Sequence, residues 1–571
     1  MKAAGQTSRI AEASSVIILA IALGLIEVLI GGARLLFSLP SYALLAIVGL
    51  LTLFSLRSLK PPPAQVCLGT LLIFFGYILV RALFSPVVYV ARPDIYCVLG
   101  GLIVYLFVAT VCTSAKARSW ILFFLFALAL VHVLVGIVQF RDGNNFMPIS
   151  FLQRYDYERR ASGLYVCPNH LAGLLEVLGI FGTSMVCWSR FPTWSKLLIG
   201  YATSVCYLGL LLTGSRGGFL SAGASLLVFG LLSLLILRRS GTHLFWRVGA
   251  ISAVTAVIVG ALTLFLVHRS DFLMHRAQNA FDSMSVRFDM WHAALEQWKT
   301  RPVLGTGSGT YLYYGRMFRT DRMQQDPIDV HNDYLHLLAE YGIVGGLLFL
   351  LFLGAHLHNG WKNFARLGPR RVVVSHSLSS TSLALNLGAL GAVAAYMVHS
   401  FVDFNLHIPA NALLLAFVFG LLANAGITRQ SDATTIPMSI FRWRALLPVL
   451  GALLGMQCFQ LWPGEYFSER ARTAQKDNQP DAAMRFALRG LETERENPFL
   501  YQYLASAEFT RCDSLPIRRR DCSVMKNQFA RWKWHALWRR KTGPCLFHLH
   551  SAMTDSVVLR RRSGSFTKRS T

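Results

Sequence analysis

The sequence is built from apolar runs whose length matches a lipid bilayer. An α-helix needs roughly 20 residues to cross the hydrocarbon core, and about thirteen runs come near that length. They begin near Val16, Tyr42, Ala64, Ile95, Trp120, His170, Lys196, Gly217, Val248, Leu335, Ser380, Pro409 and Ala445. Only helices and closed barrels satisfy every backbone group inside lipid. We therefore predict an all-α polytopic membrane protein with about 12–13 transmembrane helices.

The amino-acid composition supports a membrane protein and indicates which kinds of partner it binds. A chain of 571 residues that is 54% hydrophobic and only 15% charged is too apolar for an ordinary soluble enzyme. The net charge is +26, with the basic residues mostly between apolar runs and in the C-terminal tail. That distribution favours anionic lipid headgroups and phosphate-bearing substrates, so we expect membrane lipids and no nucleic acid among the partners.

The distribution of basic residues also predicts an orientation. If the N-terminus is cytoplasmic and the first span is uncleaved, every short loop on the cytoplasmic side is basic, as the positive-inside rule requires. These loops carry Arg57, Lys60, Lys116, Arg118, Arg190, Lys196, Arg238, Arg239, Arg247, Lys362, Arg366, Arg370 and Arg371. The long loop over residues 268–334 and the C-terminus then lie outside, where their arginines call for an anionic substrate.

The outside edge of the run near Leu335 carries a polar cluster. His331, Asn332 and Asp333 precede this run, and Glu340 and Gly342 follow within it. A helix that begins here would offer free backbone N–H groups and a positive dipole end, which favour a bound anion. The alternative is structural: His331 and Asn332 cap the helix, and Glu340 pairs with His336, four residues before it.

Two further motifs open apolar runs at the outside edge. The segment Thr213 to Gly218 contains Ser215, Arg216 and Gly217, and its arginine can bind phosphate or can extend to the membrane interface. The segment Gly163 to Ala172 contains Asn169, which we expect to be the N-cap of the next helix. Both segments precede runs that cross from outside to inside.

The long outside loop contributes a fourth element. Spacing of aromatic residues from Arg287 to Trp298 predicts an amphipathic helix, and Gly305-Thr306-Gly307-Ser308-Gly309 follows it. No strand precedes these glycines, so a dinucleotide site is not indicated. In an alternating topology the runs near His170, Gly217 and Leu335 all start at one face, where their positive ends and several arginines would meet.

These motifs resemble those of the O-antigen ligase and polymerase superfamily. The resemblance rests on His331-Asn332-x-x-Leu335 with Glu340-x-Gly342, on Ser215-Arg216-Gly217 and on Pro168-Asn169. It implies a glycosyltransferase of the bacterial inner membrane that takes a glycan from undecaprenyl pyrophosphate at the periplasmic face. It also implies inversion by direct displacement, onto lipid A core or another glycan as acceptor.

The resemblance and the chemistry assign roles to the candidate residues. His331 would deprotonate the acceptor hydroxyl, and the pyrophosphate would be bound by arginines. The pyrophosphate-binding candidates are Arg216, Arg287, Arg159 and Arg160, and the site-shaping candidates are Asn169, Ser215, Gly217, Asn332, Asp333 and Glu340. We expect no cofactor and no metal, because the outside segments contain no DxD motif, although Asp326, Asp329 and Asp333 leave a metal open.

The sequence leaves the activity open between several alternatives. A ligase, an O-antigen or exopolysaccharide polymerase and a protein O-oligosaccharyltransferase would share these motifs. A transporter or flippase of lipid-linked glycans is the non-enzyme alternative, and it would place ionisable residues within the membrane. The apolar runs show few such residues, Glu27 being an exception.

We expect three regions along the chain. Residues 1–462 form the transmembrane domain, whose periplasmic loop 268–334 carries part of the site. Residues 463–510 read as a periplasmic helical segment that resembles a tetratricopeptide repeat and offers a surface for a protein partner. Residues 511–571 form a basic tail without periodicity, which we expect to be poorly ordered.

Overall fold

The computed structural model describes nearly all of the chain up to residue 514. The described residues are 2–149, 151–152, 154–239, 246, 274, 280–321, 328–368, 379–426 and 438–514. Within these ranges the chain is almost entirely helical and contains no β-strand, only an isolated bridge between Ile30 and Tyr165. The predicted span near Val248 and residues 515–571 of the predicted basic tail lie outside the described residues, whereas residues 511–514 of that tail are the end of the last described helix.

Eight helices are described between the N-terminus and residue 239. They are α1 Lys2–Val28, α2 Leu35–Leu51, α3 Gln65–Leu83, α4 Val88–Thr110, α5 Ala115–Asp142, α6 Pro168–Trp188, α7 Thr193–Thr213 and α8 Arg216–Arg239. The other described helices are α9 Ala280–Thr300, α10 Tyr311–Met317, α11 Asp333–Leu367, α12 Thr381–His399, α13 Pro409–Ala423, α14 Met438–Lys476, α15 Pro480–Thr493 and α16 Pro498–Ser514.

Eleven of the described helices are long and apolar enough to cross a membrane, and α13 is a shorter apolar helix. Every predicted run except the one near Val248 therefore has a helix in the part of the chain that is described. This confirms the all-α polytopic membrane class. Helix α6 is buried along nearly its whole length, whereas α3 and α7 keep exposed apolar faces suited to lipid.

Small residues let the helices approach closely where lipid gives no hydrophobic driving force between them. Helix α2 crosses α14 at Gly49 and Gly451. A Cβ on Gly49 would lie 2.7 Å from the Leu447 carbonyl oxygen, and one on Gly451 would lie 2.6 Å from that of Ala46. Backbone-to-backbone contact of this kind fixes the position of α14 in the bundle.

Two buried arginines donate hydrogen bonds to backbone carbonyls at the C-terminal end of α4. Arg118 donates to the carbonyl oxygens of Val108 and Cys112, at 2.9 and 2.7 Å. Arg444 donates to the Thr110 carbonyl oxygen at 2.7 Å. A helix C-terminus carries unpaired carbonyls and a negative dipole end, so these cations are stabilising there. Because α4 begins near the Gly-rich turn and ends here, the arginines lie at the opposite end of the bundle from that turn.

Helix α11 is broken at Gly342, and the Gly-rich turn fills the break. Gly342 has φ +69°, so the helix bonds are interrupted and two new ones form: Ile343 N–H donates to the Pro302 carbonyl at 3.0 Å and Val344 N–H to that of Val303 at 3.2 Å. Thr306 N–H donates to the Ala339 carbonyl at 3.1 Å. The predicted Gly305 to Gly309 segment is thus a docking element for α11.

The C-terminal helices form a hairpin that is attached to the transmembrane helices. Alanines and leucines of α14, α15 and α16 pack together, with Ala471, Ala487 and Leu500 fully buried. Helix α14 is continuous from Met438 to Lys476, so it joins the membrane region to the hairpin without a linker. Two ion pairs lie at the starts of α2 and α4: Arg34 pairs with Glu469 of α14, and Arg92 pairs with Glu494 of the hairpin.

Replacing Gly342 by alanine should destabilise the protein. The positive φ and a Cβ only 2.3 Å from the Val303 carbonyl oxygen would force the Gly-rich turn off α11, at a cost of about 1–3 kcal/mol or more. We expect a lower unfolding temperature in detergent. The matched control is Gly346→Ala in the same helix, whose Cβ would meet nothing within 4 Å; equal effects of the two variants would contradict this account.

Candidate functional site

Three helix starts meet at one loop, Ser400 to Ile408, which we call the 400–408 loop. Asn169 at the start of α6 donates to Asp403 of this loop. At the start of α8, Gly217 packs against Val402, since a Cβ there would lie 2.8 Å from its side chain. At the start of α11, Asp333 N–H donates to the Ser400 carbonyl at 2.9 Å. The convergence predicted from the alternating topology is therefore present.

Asp403 is the carboxylate at the centre of this arrangement, with only 1% of its surface exposed. Its Oδ1 accepts from the Phe404 N–H at 2.9 Å and lies 3.2 Å from Nδ1 of His331. Its Oδ2 accepts from the Asn169 amide and lies 3.9 Å from the Arg287 guanidinium. One side chain thus links α6, the long loop, α9 and the start of α11.

The surroundings of Asp403 keep it ionised. Burial raises the pKa of the Asp403 carboxyl, but the hydrogen bond and charge of His331 and the charges of Arg287 and His399 outweigh burial, so the net pKa lies well below the usual value. An ionised Asp403 holds the proton of His331 on Nδ1 and leaves Nε2 to act as an acceptor. A histidine fixed in this way by a buried carboxylate is the usual arrangement of a general base.

His331 is positioned by the backbone and by aromatic rings as well as by Asp403. It has φ +53°, an uncommon conformation for a residue with a side chain. Its carbonyl oxygen accepts from the Trp291 indole at 3.2 Å, and its ring meets the Phe404 ring edge-on with centroids 4.6 Å apart. The side chain remains 29% exposed, so its ring is accessible from the solvent side.

Three arginines lie around Asp403, and we call them the arginine cluster: Arg160, Arg216 and Arg287. The charge of Arg216 interacts with those of Arg287 and Arg160, and Asp403 interacts with Arg287 and Arg160. Three like charges within mutual range are unfavourable beside a single carboxylate. An anionic ligand would remove this repulsion, which makes the cluster a candidate pyrophosphate site.

The loop before α6 holds Arg160 in the cluster. Arg160 is buried, donates to the Thr213 carbonyl at 2.8 Å and donates to the Asn169 side-chain oxygen. Arg154 fastens this loop by donating to the carbonyls of Arg160 and Glu158, at 2.8 and 3.0 Å. Arg159 differs: it is exposed beside Gly143, and the structure does not bring it to Asp403.

Our N-cap prediction for Asn169 is wrong. Helix α6 has Cys167 as its N-cap and begins at Pro168, a residue whose fixed φ suits a first helical position. Asn169 follows inside the first turn, and its amide group bridges Arg160 and Asp403. Its position at a helix start therefore serves the contact with Asp403, a long-range contact that the local sequence could not indicate.

Ser215 and Gly217 shape the start of α8. Gly214 before them has φ +58°, which closes the turn from α7. The Ser215 hydroxyl accepts from the Gly218 N–H at 3.2 Å and so caps the helix. A Cβ on Gly217 would approach the His399 ring to within about 3.0–3.1 Å, so glycine is needed for this close packing.

The start of α11 is joined to the 400–408 loop by a polar network. Asn332 is the N-cap, since its side-chain oxygen accepts from the Tyr334 and Leu335 N–H groups. Asp333 accepts from the Ser400 hydroxyl at 2.8 Å and lies 3.0 Å from Nδ1 of His407. The His407 ring stacks on that of His336 with centroids 4.1 Å apart. These contacts fix the residues that follow His331.

Glu340 makes the predicted contact with His336 and two further contacts that its sequence position did not predict. It lies 3.3 Å from His336, as the separation of four residues suggested. Its two oxygens also accept from the N–H groups of Gly309 and Tyr311, at 2.8 and 2.9 Å. Glu340 therefore ties the Gly-rich turn and α10 to the helix that begins beside His331.

Asp403 and a second buried pair, Glu176 and His399, were not among the residues predicted for the site. The signal for Asp403 was available, because the segment His399 to Pro409 is a polar interruption between two apolar runs, at the edge that the alternating topology predicts to be outside. Glu176 and His399 are fully buried within α6 and at the end of α12, 3.1 Å apart. Glu176 is therefore a second acidic residue within an apolar run, in addition to Glu27.

The described residues contain no group of three or more His, Cys, Asp or Glu side chains that could hold a metal ion. Asp326 lies outside the described residues. Asp329 is described, and burial raises the pKa of its carboxyl, although the charges of His336, His407 and His331 oppose that effect.

The fold and the site define a polytopic helical membrane protein whose polar groups gather where several helices begin. Comparison with protein families gives the more particular assignment: the family model described as O-antigen ligase matches residues 201–350. This match supports the O-antigen ligase and polymerase superfamily that the motifs resemble, and members of this family are glycosyltransferase-like enzymes. The matched segment includes Arg216, Arg287 and His331. No curated protein matches the chain.

The pairing of His407 with Asp333 should appear as a pH-dependent contribution to stability. Burial lowers the pKa of His407, but its hydrogen bond to Asp333 and the nearby acids raise the net value from 6.5 to about 10. A group whose pKa is raised by folding stabilises the folded state fully at pH values below its unfolded-state pKa. This stabilisation is lost as the pH rises through its folded-state pKa. The unfolding temperature of wild type should therefore be higher than that of His407→Gln, with the largest difference at pH 6. The difference should disappear as the pH approaches about 10.

The control for this comparison is His358→Gln, an exposed histidine further along α11. Its unfolding temperature should follow wild type across the whole pH series. A gap between wild type and His407→Gln that stays constant between pH 6 and pH about 10 would contradict the pairing.

Proposed function

We propose that the protein transfers an oligo- or polysaccharide from undecaprenyl pyrophosphate to an acceptor hydroxyl at the periplasmic face, in the manner of an O-antigen ligase. The observation that carries the proposal is the contact of one buried carboxylate, Asp403, with both His331 and Arg287. A base and an anion-binding group are thereby held a few ångströms apart. That is the combination which glycosyl transfer from a pyrophosphate donor requires.

The first half of the reaction is deprotonation of the acceptor. With its Nδ1 proton held by Asp403, His331 presents Nε2 to the acceptor hydroxyl and takes its proton as the oxygen attacks the anomeric carbon. Phe404 packs against the ring and limits its rotation. The attack comes from the face opposite the leaving group, so the anomeric configuration is inverted. No cofactor or metal is required for this step.

The second half is departure of the pyrophosphate. Negative charge grows on the leaving oxygen as the glycosidic bond breaks, and Arg216 and Arg287 can bind that charge with planar sets of N–H donors. The starts of α6, α8 and α11 add the positive ends of three helix dipoles. Arg160, whose side chain is anchored to Asn169 and Thr213, adds a fixed positive charge behind them.

The same geometry supports the proposed orientation. The arginine cluster lies at the end of the bundle where α6, α8 and α11 begin, and the buried arginines Arg118 and Arg444 lie at the C-terminal end of α4. The basic short loops predicted as cytoplasmic include Arg118. This arrangement supports a cytoplasmic N-terminus, a periplasmic site and periplasmic C-terminal helices in the bacterial inner membrane.

A polymerase is the alternative that a specific observation favours. Arg92 at the start of α4 pairs with Glu494 of the C-terminal hairpin, and Arg34 at the start of α2 pairs with Glu469 of α14, which leads into it. The start of α4 also contacts the Gly-rich turn, since Asp94 accepts from Ser308 at 2.7 Å. The hairpin is therefore fixed on the same face as the site, where it could hold a growing glycan or a protein acceptor.

The test is glycan transfer in proteoliposomes with a polyprenyl-pyrophosphate glycan donor. Lipid A core and repeat-unit acceptors are supplied separately, with and without a chelator. Product on lipid A core identifies a ligase, and lengthening of the carrier-linked glycan identifies a polymerase. His331→Ala should lower the transfer rate by about 100-fold or more because the general base is lost.

The matched control is His292→Ala, an exposed histidine on α9. It should transfer at the wild-type rate and unfold at the same temperature. Retained transfer by His331→Ala would refute the assigned role. Movement of donor across the bilayer without transfer to any acceptor would replace the proposal by a flippase.

A further inference from the structure

Behind the arginine cluster, α6, α8 and α12 enclose a second acid–histidine pair. Glu176 and His399 are both 0% exposed, and Nδ1 of His399 lies 3.1 Å from Oε2 of Glu176. The same carboxylate oxygen accepts from the Ser221 hydroxyl of α8. The Glu176 carboxylate thus contacts one side chain from α12 and one from α8.

The other ring nitrogen of this histidine is unaccounted for. Nε2 of His399 is buried and has no hydrogen-bond partner. It faces the first turn of α8, because a Cβ built on Gly217 would lie 3.1 Å from it. A buried polar nitrogen without a hydrogen-bond partner destabilises the folded protein. An orphaned nitrogen at a helix N-terminus therefore indicates a ligand that the side chain is placed to meet.

The surroundings select an anion as that ligand. The first turn of α8 also carries Arg216, whose charge interacts with Arg287 and Arg160. When Glu176 is ionised and His399 protonated, the pair is neutral overall and Nε2 carries a proton to donate. A helix N-terminus, an arginine and a buried N–H donor at one place form a phosphate-binding combination.

We propose that His399 is a pyrophosphate-binding residue, which donates a hydrogen bond from Nε2 to the departing pyrophosphate while Glu176 and Ser221 hold it in place. The inference rests on the proposed function and names a group that binds its leaving group. During transfer, the bond from the anomeric carbon to the β-phosphate oxygen breaks, and its electron pair stays on that oxygen. His331 takes the proton of the acceptor, and His399 keeps its own proton while donating the hydrogen bond.

Two substitutions separate this role from a structural one. In His399→Asn the amide can replace Nδ1 and keep the contact with Glu176, but nothing reaches towards Gly217. In His399→Gln the amide can replace Nε2 and donate towards Gly217, but the contact with Glu176 is lost. Glu176→Gln is a third variant, which removes the negative charge that favours a protonated His399 able to donate from Nε2.

The measurement is binding of inorganic pyrophosphate to the full-length protein in detergent, followed by the rise in unfolding temperature with pyrophosphate concentration. Wild type and His399→Gln should bind similarly. His399→Asn and Glu176→Gln should bind about tenfold more weakly or worse, since each removes a hydrogen bond to a charged ligand. Unfolding temperatures without pyrophosphate show whether each variant is folded.

Equal pyrophosphate affinity in wild type, His399→Asn and Glu176→Gln would overturn the inference, as would a wild-type protein that binds no pyrophosphate. Loss of affinity in His399→Gln with affinity kept in His399→Asn would also overturn it, since only the contact with Glu176 would then matter. The proposed function fails by another result, retained glycan transfer by His331→Ala, and the pyrophosphate series does not depend on that assay.

Discussion

The site depends on one buried carboxylate, Asp403, which is held ionised by the groups that surround it. An isolated carboxylate in this position would be costly, and removing its partners would leave an unpaired buried charge. Because His331, Asn169 and Arg287 come from separate parts of the chain, their contacts with Asp403 join α6, α9, α11 and the 400–408 loop. The carboxylate therefore fixes the geometry of the base and of the nearest arginine together.

Backbone features make these contacts possible. Helix α11 begins beside His331 and continues as a membrane span. The break at Gly342 separates the short first part, next to His331, from the long apolar part. The Gly-rich turn completes the hydrogen bonds of the broken helix, and Glu340 fastens the turn through Gly309 and Tyr311. At α8, Gly217 gives the close approach that brings His399 to the first helical turn. Glycine is thus used where a side chain would displace the polar groups of the site.

The sequence was sufficient for the fold class and for the ends of the helices that form the site. Apolar runs of bilayer length predict the spans, and alternation of those spans predicts that α6, α8 and α11 start at one face. The polar segment His399 to Pro409 marked the region of Asp403, but the roles of Asp403, His399 and Glu176 arise from contacts between residues far apart in the chain. The N-cap prediction for Asn169 was wrong for a local reason, because Pro168 takes the first helical position and Cys167 precedes it. Local spacing describes a helix start, whereas the partner of its side chain comes from tertiary packing.

The most direct test of this account is a double-mutant cycle between His331 and Asp403, measured as the rate of glycan transfer. If Asp403 acts by fixing His331, Asp403→Asn alone should slow transfer by about 100-fold or more. Adding Asp403→Asn to His331→Ala should then slow it little further, because residues that act as a unit are strongly non-additive. Independent effects that multiply in the double variant, or wild-type transfer by Asp403→Asn, would contradict the account.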